Sequence, residues 1–136
     1  MSDLSSALDV SASGMKAQGT RLRVISENIA NAGSTARSPE AEPYRRKLVT
    51  FANVLDRELG VERVEVERVT RDQSPFVERY QPGHPAADEN GYVRTSNVNT
   101  LVEMTDMREA QRSYEANLKV IEASRAMLQR TNDLLR

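Results

Sequence analysis

The sequence predicts an α+β protein: long N- and C-terminal helices packed as a coiled-coil-like pair, with a small β-rich module between them. Two observations carry this. Apolar residues recur with a heptad pattern at both ends of the 136-residue chain, and the middle replaces that pattern with partial period-two alternation broken by proline and glycine.

At the front, Leu4, Leu8, Ser11, Met15, Gln18, Leu22, Ile25, Ile29 and Ala32 fall at alternating steps of four and three, the 3.5-residue period of a coiled-coil seam. Ser2 or Asp3 can cap this helix, and Asn31-Ala32-Gly33-Ser34-Thr35 offers a stop, since Asn and Gly take the left-handed conformation that ends helices. The expected N-terminal helix is residues 1–32. Gly14 and Gly19 inside it each cost about 1 kcal/mol relative to Ala. They also remove bulk, so another backbone can approach closely.

Residues 33–98 are expected to form a connector and a β-rich module. Gly33, Pro39 and Pro43 mark the irregular connector. Tyr44 to Phe51 reads as a strand, although Ala52 to Leu59 is helix-tolerant and blurs its end. Val61 to Val69 alternates partly with period two, as a two-sided strand does. Pro75, Pro82, Gly83 and Pro85 confine the next stretch to turns and edge strands. Asn90-Gly91 supplies a positive-φ turn before the short extended run Tyr92-Val93-Arg94.

The back of the chain, residues 99–136, reads as a second long helix. Met107, Tyr114, Ile121, Leu128 and Leu135 recur at strict sevens, with Met104 and Leu118 on the adjoining stripe. Thr100 with Glu103 can form a capping box. Acidic residues gather early (Glu103, Asp106, Glu109) and basic ones late (Lys119, Arg125, Arg130, Arg136), following the helix macrodipole. An antiparallel or parallel pairing of the two terminal helices would satisfy much of both seams. Second faces bearing Val120, Met127 and Leu134, or Ala7, Val24 and Ala30, would be left for further copies or partners.

Composition narrows the function classes. A net charge of -1 gives no general pull towards nucleic acid or an anionic membrane, and 4% aromatic residues without Trp argue against a large globular core. The chain has no Cys, which removes disulfides and thiolate metal sites. No apolar run of about twenty residues could span a membrane, and no cleavable secretory signal is visible at the N-terminus, so leaving the cytoplasm would need another route.

No catalytic constellation stands out. His84 is the only histidine and lacks the further nitrogen or thiolate ligands of a metal site, so it reads as a backbone-bonding turn residue. Asp88-Glu89-Asn90-Gly91 superficially resembles part of a calcium loop, but Ala86 and Asn97 stand where key ligands belong. Arg45, Arg46 and Lys47 form the one compact basic triplet, read first as a solvated strand face and next as an interface with an acidic partner. No cofactor, metal or nucleic acid is implied, and no enzyme.

Several motifs resemble a known family. Ser13-Gly14-Met15-Lys16-Ala17-Gln18, Arg21-Leu22 and Ile25-Ser26-Glu27-Asn28-Ile29-Ala30-Asn31-Ala32 resemble the shared N-terminal motif of bacterial flagellar rod and hook proteins. Tyr44-Arg45-Arg46-Lys47, Asp72-Gln73-Ser74-Pro75-Phe76, the stretch Tyr80 to Val93, Ser96-Asn97-Val98-Asn99, Glu103 to Met107 and Arg112 to Leu118 are similar to proximal-rod members in particular. Glu40 and Glu42 in the connector depart from that pattern.

The resemblance implies a structural subunit of the proximal rod, the motor's drive shaft across the periplasm, exported by the flagellar type III apparatus. It implies polymerisation through the termini with copies of itself and with FlgB, FlgF and FlgG, and contact with the adaptor FliE. The seam positions expected to make subunit contacts are Leu4, Leu8, Met15, Leu22, Ile25 and Ile29 at the front. At the back they are Met107, Tyr114, Leu118, Ile121, Leu128 and Leu135. A free-standing coiled-coil adaptor binding one partner protein is the alternative class, and an enzyme of unknown reaction the third.

Overall fold

A computed structural model describes residues 2–136, with side chains from residue 3 onward. Helix α1 (Ser2–Ala30) is followed by strands β1 (Lys47–Asp56), β2 (Val61–Arg71), β3 (Val77–Tyr80) and β4 (Tyr92–Thr95), and by helix α2 (Thr100–Leu134). β1 pairs with β2, and β3 with β4, in two two-stranded sheets. The α+β architecture is thus the expected one. Among the described residues no helix is long and apolar enough to cross a membrane.

The chain divides into two compact units. Unit one holds residues up to Leu22 together with Thr50–Arg68 and Arg108–Arg136; unit two holds Arg23–Val49 and Val69–Met107.

In unit one the helices run antiparallel. Gly14 of α1 faces Asn117 of α2, and one α1 heptad later Arg21 reaches Glu109, eight residues earlier in α2, at 3.6 Å. A Cβ on Gly14 would lie 2.8 Å from Asn117 Nδ2, which already donates to Ser113 O at 3.1 Å. The close neighbour of Gly14 is thus a side chain, not the second backbone that the sequence suggests. Gly19 has nothing within 4 Å of its would-be Cβ. Gly19→Ala should raise stability by about 0.5–1 kcal/mol through helix propensity alone. Gly14→Ala should forfeit that gain unless Asn117→Ala accompanies it, a contrast that thermal melts of the three variants resolve.

Unit two carries the β3–β4 hairpin, in register Val77↔Thr95 to Tyr80↔Tyr92, with a further bridge between Thr35 and Thr95. Val93, Ala36 and Ala86 make a small apolar core. Gly91 has φ 85°, a conformation that favours Gly, and its would-be Cβ would meet the Tyr80 ring at 2.9 Å. Asn90 keeps a negative φ, so only half of the expected Asn-Gly signature is used. His84 Nδ1 accepts from the Ala86 N–H at 3.0 Å, the backbone-bonding turn role read from its sequence context.

Helix ends show one confirmation and one correction. Asn31 Nδ2 donates to Glu27 O at 2.8 Å and Ser34 Oγ to Asn31 O at 2.9 Å, closing α1 at the expected place by side-chain bonds, with neither Asn31 nor Gly33 in the left-handed region. Of the two expected N-terminal caps, Asp3 sits in the first turn, and the Ser2 side chain lies outside the described residues. α2 is capped by Asn99, whose Oδ1 accepts from Leu101 N at 3.1 Å. The expected Thr100–Glu103 box does not form, because the Glu103 carboxylate binds Arg46 instead. A guanidinium is the stronger partner for a buried carboxylate than a neutral backbone N–H.

β1 begins at Lys47 rather than Tyr44 and continues through Asp56. The helix-tolerant letters of 52–56 are therefore strand. Pairing with β2 overrides a propensity that was weak in either direction.

Candidate assembly interface

The residues of α2 that are not fully exposed from 103 to 131 include Glu103, Met107, Ala110, Tyr114, Asn117, Ile121, Ser124, Leu128 and Thr131. Their steps of four and three make a sheltered coiled-coil seam. One half of it, Met107, Tyr114, Ile121 and Leu128, was legible from its sevenfold spacing. The other half is small or polar and was not. Met104 and Leu118, expected to adjoin the seam, are exposed, as is Leu135.

On α1, Leu4, Leu8, Met15, Leu22 and Ile29 are half-buried, whereas Ile25 and Val24 are buried within unit two. Val24 is thus no part of a free second face. The corresponding face of α2 is free: Ala116, Val120, Ala123, Met127, Arg130 and Leu134 repeat the four-three step and are all exposed. Two stripes on one helix allow it neighbours on two sides.

Unit two is organised by a polar cluster around Arg46, the middle residue of the basic triplet. Arg46 Nε donates to Glu103 Oε1, Nη1 to Asp72 Oδ2 at 3.4 Å and Nη2 to Asp106 Oδ2 at 3.3 Å. Glu103 is 1% exposed, so its charge is tolerable only because it is paired. Its other oxygen accepts from Asn28 Nδ2 at 3.3 Å. Asn28 is equally buried, and its Oδ1 accepts from Tyr44 Oη at 2.7 Å and Lys47 N at 2.9 Å.

Asn97 completes the cluster. Its Oδ1 accepts from Arg46 N at 2.7 Å, and its Nδ2 donates to Asp72 O at 3.0 Å. The end of α1, the entry to β1, the exit of β2 and the start of α2 are all tied to residues 44–47.

The electrostatics follow these contacts. The Ser74 hydroxyl and backbone N–H, with Arg46 behind them, hold the Asp72 carboxyl below its ordinary range against the opposing effect of burial. The hydrogen bond from Lys47 does the same for Glu27. Burial, reinforced by Glu27 and Glu103, pushes the Tyr44 phenol up. Phe76 lies beneath two guanidinium groups, with Arg45 Cζ at 4.3 Å and Arg94 Cζ at 5.7 Å from its centroid, a favourable cation–π geometry. Among the described residues no group of three or more His, Cys, Asp or Glu is placed to hold a metal ion.

Comparison with known proteins adds the remaining observation. Residues 3–37 match a family described as flagella basal body rod protein, and residues 89–134 one described as flagellar basal body rod FlgEFG protein C-terminal. The chain is 55% identical over 136 residues to flagellar basal-body rod protein FlgC of Agrobacterium fabrum, covering 100% of this chain and 98% of that one. It is 40% identical to FlgC of Borreliella burgdorferi, with 91% of this chain and 92% of the relative aligned. Against FlgC of Salmonella typhimurium it is 38% identical, with 90% and 91% aligned.

Proposed function

The chain belongs to the flagellar basal-body rod protein family, and from that premise we propose that it builds the rod through the incompletely covered seams of unit one. It is a structural subunit of the basal-body rod and not an enzyme, and it assembles there with other rod components and with copies of itself. The adaptor reading has no support among the relatives.

One observation carries the reading of unit one. Among the described residues its only buried ones are Ser11, Ala17, Ala110 and Ser124, all small. Every described large apolar side chain of its helical segments is half-buried or exposed. Small side chains bury too little area to offset the entropy of ordering long helices. Neighbouring subunits would cover Leu4, Leu8, Met15 and Leu22 on α1, and Met107, Tyr114, Ile121 and Leu128 on α2, together with exposed Leu118 and Leu135. Met107, Ile25 and Ile29 lie in unit two, where Ile25 serves the chain's own core.

On this reading residues 1–32 and 99–136 form the assembling helical layer, and 33–98 the connector and β-rich module. The chain sits in the proximal rod across the periplasm, beside FlgB, FlgF, FlgG and FliE, reaches it through the flagellar type III export apparatus and passes torque along interlocked coiled-coil helices. The near full-length match to FlgC relatives supports a place in the basal-body rod.

Far-UV circular dichroism across a concentration series, with light scattering on the same samples, tests the role of unit one. Helicity should rise together with mass, or on adding rod partners, because association is what completes the core. A highly helical, cooperatively melting monomer indifferent to concentration and partners would overturn it.

A further inference from the structure

The β3–β4 turn carries the one Asn-Gly pair of the chain, Asn90-Gly91. Such a pair is chemically labile, because a glycine amide has no side chain of its own to obstruct its approach to the asparagine Cγ. The Gly91 nitrogen can bond to Asn90 Cγ while the Cγ–Nδ2 bond breaks, and ammonia leaves carrying the amide proton. Water then opens the resulting cyclic imide at one of its two carbonyls. One opening gives aspartate; the other gives isoaspartate, with an extra methylene in the main chain.

In the folded chain the nucleophile of this reaction is held. Gly91 N donates to Asp88 O at 3.0 Å. Asn90 N and Tyr92 N both donate to Asp88 Oδ1 at 2.9 Å, Asp88 N donates to Tyr92 O at 2.9 Å, and Gly91 O accepts from Gln81 N at 2.9 Å. Gly91 is buried at φ 85°, with the Tyr80 ring and Pro82 against the space of its missing Cβ. The peptide plane between residues 90 and 91 therefore cannot swing its nitrogen towards Cγ without breaking the bond to Asp88 O. The Asp88 carboxylate adds a second barrier, since a negative charge close by disfavours the amide anion through which the nitrogen attacks. Asn90 itself is exposed, so water reaches the site whenever the turn opens.

We propose that Asn90-Gly91 is a spontaneous modification site gated by the Asp88 turn: closed, the turn keeps the asparagine intact, and each opening of the hairpin exposes it to conversion. Local openings cost less free energy than global unfolding, so the site responds to the stability of this hairpin rather than of the whole chain. Isoaspartate cannot resume the native turn, since it lengthens the backbone inside a hairpin whose register is set at Tyr80↔Tyr92. Aspartate adds a third acid directly after Asp88 and Glu89. Conversion thus marks the chains whose hairpin has stood open.

The test incubates the purified full chain in mildly alkaline buffer, folded and in guanidinium chloride, and follows residue 90 in a proteolytic peptide by mass spectrometry. The folded chain should convert about tenfold more slowly than the unfolded one, or slower still, because it reacts only in its open fraction. Asp88→Ala, which takes away the side-chain acceptor of two N–H groups, should speed conversion in the folded chain about tenfold. Asp88→Asn keeps an acceptor oxygen and loses the charge, so its rate should fall between the two. A folded chain that converts as fast as the unfolded one overturns the gating. So does an Asp88→Ala chain that is folded by circular dichroism and converts as slowly as the unsubstituted one. The first comparison needs no variant, so it decides the matter even where Asp88→Ala fails to fold.

Discussion

Arg46→Met should cost the isolated chain about 3–5 kcal/mol, and adding Glu103→Leu should recover most of that loss. The single substitution leaves the 1%-exposed Glu103 carboxylate with only the Asn28 amide as partner, the uncompensated charge that makes one-sided removal of a buried ion pair expensive. Removing both charges exchanges the pair for apolar volume, which is often neutral or better. Against a total stability of about 5–15 kcal/mol the single variant would lose a large share of what holds the chain folded. Urea unfolding followed by circular dichroism measures both variants. A double variant no more stable than Arg46→Met would show that Glu103 is not the group left stranded.

The pH dependence has the matching sign. Asp72 and Glu27 titrate below their ordinary values of 3.8 and 4.5, so the folded state binds fewer protons than the unfolded one in acid. Their contribution is present above those values and disappears as pH falls through the lowered folded ones. Tyr44 runs the other way: its phenol is held protonated above 10.0, so that stabilisation is whole below pH 10.0 and is lost as pH climbs through the raised value. Ionisation there also removes the donor to Asn28.

Periodicity carried the fold, and it failed where the physics was not apolar. The sevenfold recurrence of Met107, Tyr114, Ile121 and Leu128 revealed one half of the α2 seam. Ala110, Asn117, Ser124 and Thr131 hid the other, because small residues permit close helix approach without registering as hydrophobic. Reading Leu118 into that seam followed from looking only for large side chains.

Arg46 shows a different limit. An acidic partner was among the readings of the Arg45-Arg46-Lys47 triplet, but the acids lie in the same chain, at Asp72, Glu103 and Asp106. Separations of 26 to 60 residues leave no mark on local sequence. In the sequence Asn28 stands out only as part of a family motif. Its buried amide, accepting from Tyr44 and Lys47, gives that motif position a physical reason.

Ile25→Asp and Ile121→Asp, alike as seam substitutions in the sequence, should separate sharply in experiment. Ile25 is 4% exposed inside unit two, so an aspartate there buries a charge without a partner and should cost on the order of 4 kcal/mol, unfolding the chain before assembly is tested. Ile121 is only half-buried, in a unit whose core is made of small residues. Its aspartate keeps access to water in the isolated chain and should cost roughly 1 kcal/mol there. In the rod, a neighbour closing over the seam would strip that water away. Incorporation of Ile121→Asp into basal bodies should then fall about thirtyfold or more, the effect of losing a hot-spot side chain, and motility with it. Thermal melts of the purified variants and blots of isolated basal bodies separate the two mechanisms. An Ile121→Asp chain that enters basal bodies normally in swimming cells would remove the α2 seam from the subunit interface and shift assembly to the exposed stripe of Val120, Met127 and Leu134.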